Sequence, residues 1–308
     1  MTTQAATETS FASAFDRVGA HFIDVIYFDG GRYVIAAGVL TLFLFICKTW
    51  ADNRRIQRKR KASAADYRRE ILSSGRTILV FAVTTLATLI GREMGIINLK
   101  LENAALLTIT WQFALIVVVH DAYFYWIHRA MHSKRLFKAT HLHHHKSRTP
   151  TPWTAYSFSS AEAFFEAAFM PLFLLATSQL GFAYAGFAIL FFLWHMIIRN
   201  VMAHAGSELF PAGWVDNRLT SWISTTTHHD LHHSSGHNYG FYFTWWDKWM
   251  GTEHPRYKEE FRKNAKPIFA AGRLPGSLAE RLSVTVMALF AASIALGGPF
   301  AGIETGIL

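Results

Sequence analysis

Three groups of histidines have the spacing of metal ligands. His128 and His132 are four residues apart, and segments 141–145 and 228–233 each contain histidines separated by three and four residues. Side chains with these separations share one face of a helix, so each group can direct its imidazoles toward one point. The spacing predicts eight metal ligands: His128, His132, His141, His144, His145, His229, His232 and His233.

Eight imidazoles exceed what one metal ion binds. Zinc takes four ligands, and in catalytic sites three of these come from the protein. Two ions with open coordination positions therefore fit the number of ligands better. Imidazole also binds iron and copper, so the residue types leave the metal open at this point. The chain has 16 histidines, 15 of them between His120 and His254, a concentration that a purely structural protein does not need.

Residues near these groups are candidates for additional ligands or for supporting roles. His228 lies four residues before His232 and would replace His229 if the helical register differed. Metal-bound histidines usually donate their second ring N–H to a carboxylate or carbonyl. The candidates for these roles are His120, His143, His228, His237, Asp121, Glu162, Asp230 and Asp247. His195 is expected to be a core histidine or to line a substrate channel.

Apolar composition points to a membrane protein. Apolar residues make up 51% of the 308 residues and charged residues 17%, which excludes a disordered chain. Several runs approach or reach the roughly 20 residues that cross a bilayer. They are Tyr33–Trp50, Thr77–Leu99, Ala104–Ile127, Phe164–Leu180, Phe182–Ile198 and Ser283–Phe300. We therefore expect an all-α fold, a polytopic membrane bundle of about four to six apolar helices with a histidine-rich helical cap.

The chain divides into four predicted segments. Residues 1–32 form a polar N-terminal segment, without the basic start and apolar stretch of a cleavable signal peptide. A transmembrane anchor covers 33–127, and the histidine-bearing region covers 128–281 with an apolar hairpin at 164–198. A further apolar segment, 282–308, closes the chain.

The positive charge of the chain indicates its orientation. The net charge is +9, and segment 51–76 alone carries nine lysines and arginines against three acids. Cytoplasmic loops hold the excess of lysine and arginine, so the termini are expected outside and the histidine groups on the cytoplasmic side. This topology explains the charge, and no nucleic-acid motif is present, so nucleic acid is not an expected partner. A single cysteine, Cys47, excludes an intrachain disulfide.

The order of the histidine motifs resembles that of a known family. His128–His132, His141–His145 and His229–His233 follow the pattern HxxxH, HxxHH and HxxHH. This pattern, over residues 110–255, resembles the fatty acid hydroxylase/sterol desaturase superfamily. The segment 236–252, with Gly236-His-Asn-Tyr-Gly240 and Trp246-Asp247, also matches. The stretch Thr149–Phe158 is most similar to the C-5 sterol desaturase branch.

The resemblance implies a chemistry and a ligand set. It implies that 128–281 is the catalytic region, and that histidines hold two iron ions that use O2 to oxidise a C–H bond of a sterol or acyl chain. It adds His204 as a ninth ligand and Asn200, four residues earlier, as a weaker candidate. The sequence has no flavin, nicotinamide or CxxCH haem signature, so a separate electron donor, a ferredoxin or cytochrome b5-like protein, is expected to dock.

Alternatives remain open at this level. Sterol desaturation, fatty-acid or sphingolipid hydroxylation and carotenoid hydroxylation share the same histidine pattern. A histidine-rich metal transporter is the alternative from another class, but its ligands would lie on broken helices near the bilayer midplane. The histidine groups begin instead where the apolar runs end. The 15% of aromatic residues fits either membrane packing or an apolar tunnel for the substrate.

Overall fold

Long apolar helices form most of this computed structural model, which describes residues 12–98, 100–102 and 104–266. Residues 12–19 are helical. The helices that follow are α1 (Phe22–Ile46), α2 (Lys48–Asn53), α3 (Ala64–Glu93), α4 (Leu106–Met131), α5 (Phe137–Thr140), α6 (Ser160–Ala167), α7 (Phe169–Ser178), α8 (Gly186–Ala203), α9 (Thr226–Ser235), α10 (Trp245–Met250) and α11 (Tyr257–Asn264). Single 3₁₀ turns cover His144–Lys146 and Pro152–Tyr156.

The prediction of an all-α membrane bundle is confirmed. Within the described residues, five segments are long and apolar enough to cross a bilayer. They are α1, α3, α4, the consecutive helices α6 and α7 (Ser160–Ser178), and α8. The sixth predicted run, Ser283–Phe300, lies outside the described residues.

Several helices begin or end away from the apolar runs. Helix α1 begins at Phe22 rather than Tyr33, because a buried ion pair within it, Asp29–Arg32, interrupts the apolar pattern without ending the helix. Helix α3 begins at Ala64 rather than Thr77, within the basic segment 51–76. Ser63 starts it with a capping box: its Oγ accepts from Asp66 N at 3.2 Å, and the Asp66 carboxylate accepts from Ser63 N at 2.9 Å.

A two-stranded parallel sheet, β1 (Lys100–Glu102) and β2 (Ala183–Ala185), joins the link between α3 and α4 to the link between α7 and α8. Gln112 of α4 holds β2 in place: its Nε2 donates to Ala183 O at 2.9 Å, and its Oε1 accepts from Ala185 N at 2.8 Å. Helix α8 consequently begins at Gly186 and not at Phe182.

The 3₁₀ turn Pro152–Tyr156 packs in the core between α1, α3 and α8. Tyr33 of α1 stacks on Tyr156 with ring centroids 4.5 Å apart, and its hydroxyl donates to Trp153 O at 2.8 Å. The Tyr33 hydroxyl also lies 2.7 Å from Ser74 Oγ of α3. These contacts fix the chain that follows the second histidine group against three membrane helices.

Glu70 of α3 anchors the same loop from its other end. The side chain is fully buried and accepts hydrogen bonds from Ser147 Oγ at 2.7 Å and Thr151 Oγ1 at 2.6 Å. Hydrogen bonds to a carboxylate are stronger than neutral ones, and loss of the acceptor leaves both hydroxyls unpaired. Glu70 therefore determines where the loop after His145 leaves the histidine site.

Replacing Glu70→Ala is expected to destabilise the protein, at a cost of about 1–3 kcal/mol for each hydroxyl left without an acceptor. Glu70→Gln keeps one acceptor oxygen and should cost less. Thermal unfolding of the purified chain in detergent measures the difference. Glu93→Ala, at the exposed end of the same helix, is the control. A Glu70→Ala variant that unfolds with the wild type would show that the carboxylate does not hold this loop.

Candidate metal centre

The structure brings all nine predicted histidine ligands together in two adjacent clusters. Within each cluster, one ring nitrogen from every histidine lies within 4.8 Å of the others. The first cluster consists of His128, His132, His141, His145 and His232, and the second of His144, His204, His229 and His233. Histidine rings are in contact between the clusters, with His145 and His233 centroids 4.9 Å apart.

The sequence motifs divide between the clusters. His128 and His132, at the end of α4, both belong to the first cluster. Segment 141–145 and helix α9 each supply histidines to both clusters, so both elements connect the two sites. This differs from the expectation that each group converges on one point. The second group, in segment 141–145, lies in turns and a 3₁₀ turn and not in an α-helix. Within this segment, only the hydrogen bond from His145 N to His141 O, at 3.3 Å, has the spacing of an α-helix.

Helix α9 has a capping residue at each end, so its three cluster histidines lie within one short helix. Thr225 caps it, with its Oγ1 accepting from His228 N at 3.3 Å. Gly236 ends it in the left-handed region with φ of 67°, where glycine is favoured. Ten residues separate these two signals, which is enough for the 229–233 motif on one short helix.

Hydrogen bonds at Nδ1 determine which nitrogen faces the first cluster. His128 Nδ1 lies 3.0 Å from Tyr239 O, and His232 Nδ1 lies 2.7 Å from His237 O. A carbonyl only accepts, so both Nδ1 atoms carry the proton and both Nε2 atoms present a lone pair. His141 Nδ1 lies 2.7 Å from Glu162 Oε1, which favours the same tautomer.

The Nε2 atoms of the first cluster face one another. His128 Nε2 and His141 Nε2 are 2.9 Å apart, and His232 Nε2 lies 3.1 Å from His132 Nε2 and 3.0 Å from His145 Nε2. Two unprotonated nitrogens at such distances repel each other unless a cation is shared between them. The donor set and its orientation therefore fit a metal ion.

In the second cluster, one ring is oriented in the same way. His204 Nδ1 lies 2.7 Å from Asn200 O, so its Nε2 carries the lone pair. That Nε2 lies 3.2 Å from His144 Nε2 and 3.0 Å from His229 Nε2. Asn200 thus takes part through its main-chain carbonyl; its side chain points elsewhere and donates to Ala155 O at 2.8 Å.

Burial keeps the imidazoles neutral. Loss of solvent lowers the pKa of His145 and of His204 to about 4, and lowers the pKa of His229, His232 and His233 well below the usual value. Neutral imidazole is the form that binds metals. The clusters are therefore in the ligand-competent state at neutral pH.

The supporting candidates lie around the clusters, and none of them joins either one. His228 Nε2 lies 3.3 Å from Asp247 Oδ2. The Asp247 carboxylate accepts hydrogen bonds from the main-chain nitrogens of Tyr239 and Gly240, both at 2.8 Å. It thereby holds the segment whose Tyr239 carbonyl lies 3.0 Å from His128 Nδ1. His237 contributes only its carbonyl, to His232.

The other acids have structural contacts. Asp121 accepts from Tyr242 N and Trp245 Nε1, both at 2.8 Å, and holds the segment after Gly240 against α4. Asp230 accepts from Gln57 Nε2 at 3.0 Å, and burial raises its pKa to about 7. His143 Nε2 lies 2.7 Å from Ser73 Oγ, away from both clusters. The Tyr239 and Asn200 carbonyls had no sequence signal, because main-chain groups have none.

An apolar cavity of about 650 Å³ lies within the helix bundle next to the clusters, and its lining separates it from their histidines. Its wall includes Phe124, whose ring lies 5.0 Å from that of His128, and Phe158, whose ring lies 5.2 Å from that of His144. His120 is part of this wall and packs on Phe169 at 4.6 Å, which makes it a cavity residue. His195 packs on Tyr242 at 4.7 Å. The volume is that of a site for a small organic ligand.

Comparison with known proteins confirms the resemblance seen in the histidine spacing. Residues 113–252 match the family described as Fatty acid hydroxylase. Delta(7)-sterol 5(6)-desaturase ERG3B of Gibberella zeae is 26% identical over 71% of this chain and 64% of its own length. Human lathosterol oxidase is 29% identical over 43% of this chain and 41% of its own length. No solved structure gives a significant match. The chain spans less than two thirds of the length of these relatives.

The stability of the metal-free protein is expected to fall with pH. Unfolded histidines take up protons near pH 6.5, whereas the buried ones do so only near pH 4 or below. The unfolded state therefore binds more protons in this window, so stability is complete above about pH 6.5, is lost on acidification, and levels off below the folded pKa values. Thermal unfolding of chelator-treated protein across the window measures this loss.

Two matched variants distinguish the effect of a cluster histidine on this pH dependence from the effect of replacing a histidine elsewhere. His233→Asn should reduce the pH slope of the unfolding free energy by up to about 1.4 kcal/mol per pH unit. His21→Asn, at a solvent-accessible position outside both clusters, is the matched control. An unfolding temperature that stays constant from about pH 6.5 to pH 4 would contradict neutral, buried clusters.

Glu162→Leu is expected to weaken metal binding at the first cluster alone, because it removes the carboxylate beside His141 Nδ1. Loss of such a partner typically costs 10–100-fold in affinity, so a decrease of about that size is expected. Titration of the metal-free chain with Co²⁺, followed by its visible absorption, resolves a weakened and an unchanged site. Equal weakening of both sites, or of neither, would contradict this role.

Proposed function

We propose that this chain, a member of the fatty acid hydroxylase and sterol desaturase superfamily, is a membrane oxidoreductase that hydroxylates or desaturates a lipid C–H bond with O2 and two external electrons. The observation that carries the proposal is that two clusters of converging imidazole nitrogens adjoin an apolar cavity of about 650 Å³. Together they offer an oxidising centre and a place for the hydrocarbon.

Two iron ions are the proposed occupants of the clusters. The first cluster offers five imidazoles and the second offers four, and imidazole is a suitable ligand for iron. Iron would supply the ability to activate O2, which no side chain possesses. The chain itself holds the ring orientations, through the carbonyls of Tyr239, His237 and Asn200 and the carboxylate of Glu162.

A sterol-like lipid is the proposed substrate, because the relatives are named as sterol desaturases, lathosterol oxidases and a methylsterol monooxygenase. Aromatic and aliphatic walls bind the hydrocarbon and keep water from the reacting bond. Phe124 and Phe158 stand between the cavity and the histidines and would set how closely a C–H bond approaches each cluster.

Electrons are proposed to enter from a separate protein at the cytoplasmic face. Lys134, Arg135 and Lys138 are exposed on the segment between the first two histidine motifs, so a basic surface lies within a few residues of the first cluster. An acidic donor such as a ferredoxin or a cytochrome b5-like protein has complementary charge. The excess of basic residues in 51–76 supports the cytoplasmic orientation.

A metal transporter fits the same residues less well. Transport sites lie on interrupted helices near the middle of the bilayer. Here His132 and His204 are the C-caps of α4 and α8, and α9 begins well after the last described membrane segment. The clusters therefore draw on the ends of two membrane helices, on segment 141–145 and on the short helix α9.

Product analysis tests the proposed reaction. Iron-loaded protein is supplied with O2, a reductant and a membrane lipid extract, and the lipids are compared by mass spectrometry. A product with one added oxygen atom indicates hydroxylation, and one that has lost two hydrogen atoms indicates desaturation. His144→Ala should lower product formation by more than about 100-fold, beyond the loss typical of residues that only support a ligand.

The control is His21→Ala, which lies outside both clusters and should retain full turnover. Each variant is first shown to insert and to elute from a sizing column like the wild type. Unchanged product in the His144→Ala variant would remove the second cluster from the reaction. No altered lipid from the wild type under any reductant would contradict the proposed oxidation.

A further inference from the structure

A buried ion pair lies in the membrane-spanning part of α1, away from the histidines. Asp29 and Arg32 are 7% and 4% exposed, and Arg32 Nη2 donates to Asp29 Oδ1. Arg32 Nη1 donates to Leu193 O at 2.9 Å, and the guanidinium lies over the Phe28 ring at 4.7 Å. Ionisable residues are costly within a membrane and usually mark a functional site. Apolar residues at these positions would have packed the bundle at lower cost.

The pair has unused hydrogen-bonding capacity. Among the described residues, Arg32 Nε is buried without a hydrogen-bond partner. The second carboxylate oxygen of Asp29 has only the Thr85 hydroxyl, at a long 3.5 Å. All three residues line the same apolar cavity, together with Thr84 and Thr88. The cavity wall thus contains one buried donor without a partner and one poorly satisfied acceptor, next to three threonine hydroxyls.

We propose that Asp29 and Arg32 form a subsite that binds the free hydroxyl group of the lipid held in the cavity. The proposal rests on the proposed function in so far as the cavity holds a lipid. A hydroxyl both accepts and donates, so one group satisfies Arg32 Nε and Asp29 Oδ2 together. Neither an ether nor a hydrocarbon end does both.

The charge of the cavity favours a neutral group over an anionic one. Arg32 is the only lysine or arginine among the described lining residues, and Asp29 already neutralises it. Glu166 is a second acid in the lining. A fatty-acid carboxylate or a phosphate would meet two acids without a free cation, and burying such a charge unpaired is very costly.

The position of the subsite orients the lipid. Arg32 binds the carbonyl of Leu193, and the carbonyl of Asn200, on the same helix, holds His204. These two positions on α8 are seven residues apart, about 10 Å along the helix. The hydroxyl end therefore lies away from the clusters, and the hydrocarbon extends toward them.

Direct binding tests the subsite without turnover. The full-length chain, as purified and again after chelation, is titrated with cholesterol and cholestene, and with octadecanol and octadecane. Each pair differs in the hydroxyl alone. A hydrogen bond to a charged group corresponds to about a tenfold or greater gain in affinity. In at least one pair, the lipid with the hydroxyl should therefore bind about tenfold tighter than the lipid without it. The pair that shows the preference distinguishes a sterol from a straight-chain alcohol.

Variants link the preference to these residues. Asp29→Leu with Arg32→Met replaces the pair by apolar side chains of similar size and should bring the ratio close to one. Thr85→Val keeps the ion pair intact and should lower the ratio only in part, which retains the test if the double variant does not fold. Arg17→Ala with Glu93→Ala removes an exposed ion pair outside the cavity and should leave the ratio unchanged.

The outcomes are separable from those of the proposed function. Equal affinity of the wild type for both members of each pair, or no binding of either alcohol, would overturn the subsite. So would a double variant that folds and keeps the preference. A hydroxyl preference in a chain that forms no oxidised lipid would instead support the subsite and contradict the proposed reaction.

Discussion

Imidazole lone pairs that face one another across 2.9 to 3.2 Å are the constraint on which the rest of the site depends. Unprotonated nitrogens that close repel one another, and four of the nine rings are oriented by a contact at Nδ1. Two of these groups are distant in sequence from the ring they contact, the Tyr239 carbonyl and the Glu162 carboxylate, whereas the Asn200 carbonyl lies four residues before His204. Asp247 positions Tyr239 in turn, and Glu70 anchors the loop after His145. The buried polar network around the clusters therefore both orients histidine rings and anchors the loops that carry them.

The spacing predicted which histidines are candidate metal ligands, but it did not predict how these histidines divide between the two clusters. The separations of three and four residues identify which side chains are ligands of some ion, because they follow from helical periodicity alone. They do not say that His144 and His145 diverge to different clusters, since the chain there leaves the α-helix for a 3₁₀ turn. Main-chain carbonyls carry no residue type, so the contribution of the Tyr239 carbonyl could not be predicted, and Asn200 was predicted as a candidate ligand and not as a carbonyl that orients His204.

Membrane helices could be predicted as a class, and their ends could not. Hydropathy recognises runs without charge, so it placed the start of the first helix at Tyr33, after Asp29 and Arg32. These two neutralise each other inside the bundle, and the helix continues through them from Phe22. The same pair lines the cavity, which connects a wrong helix boundary to a candidate recognition site. The charged residues that interrupt the hydropathy pattern of this helix are thus the same residues that form the candidate binding site.

The most direct test of the account is the iron content of the chain. The full-length protein is purified after growth with iron, and iron per chain is measured together with zinc and copper, in the wild type and in a variant carrying His229→Ala and His233→Ala. The account predicts two irons per chain in the wild type and one in the variant, because only the second cluster is removed. One iron or none in active wild-type protein, or two irons that persist in the variant, would contradict the assignment of one ion to each cluster.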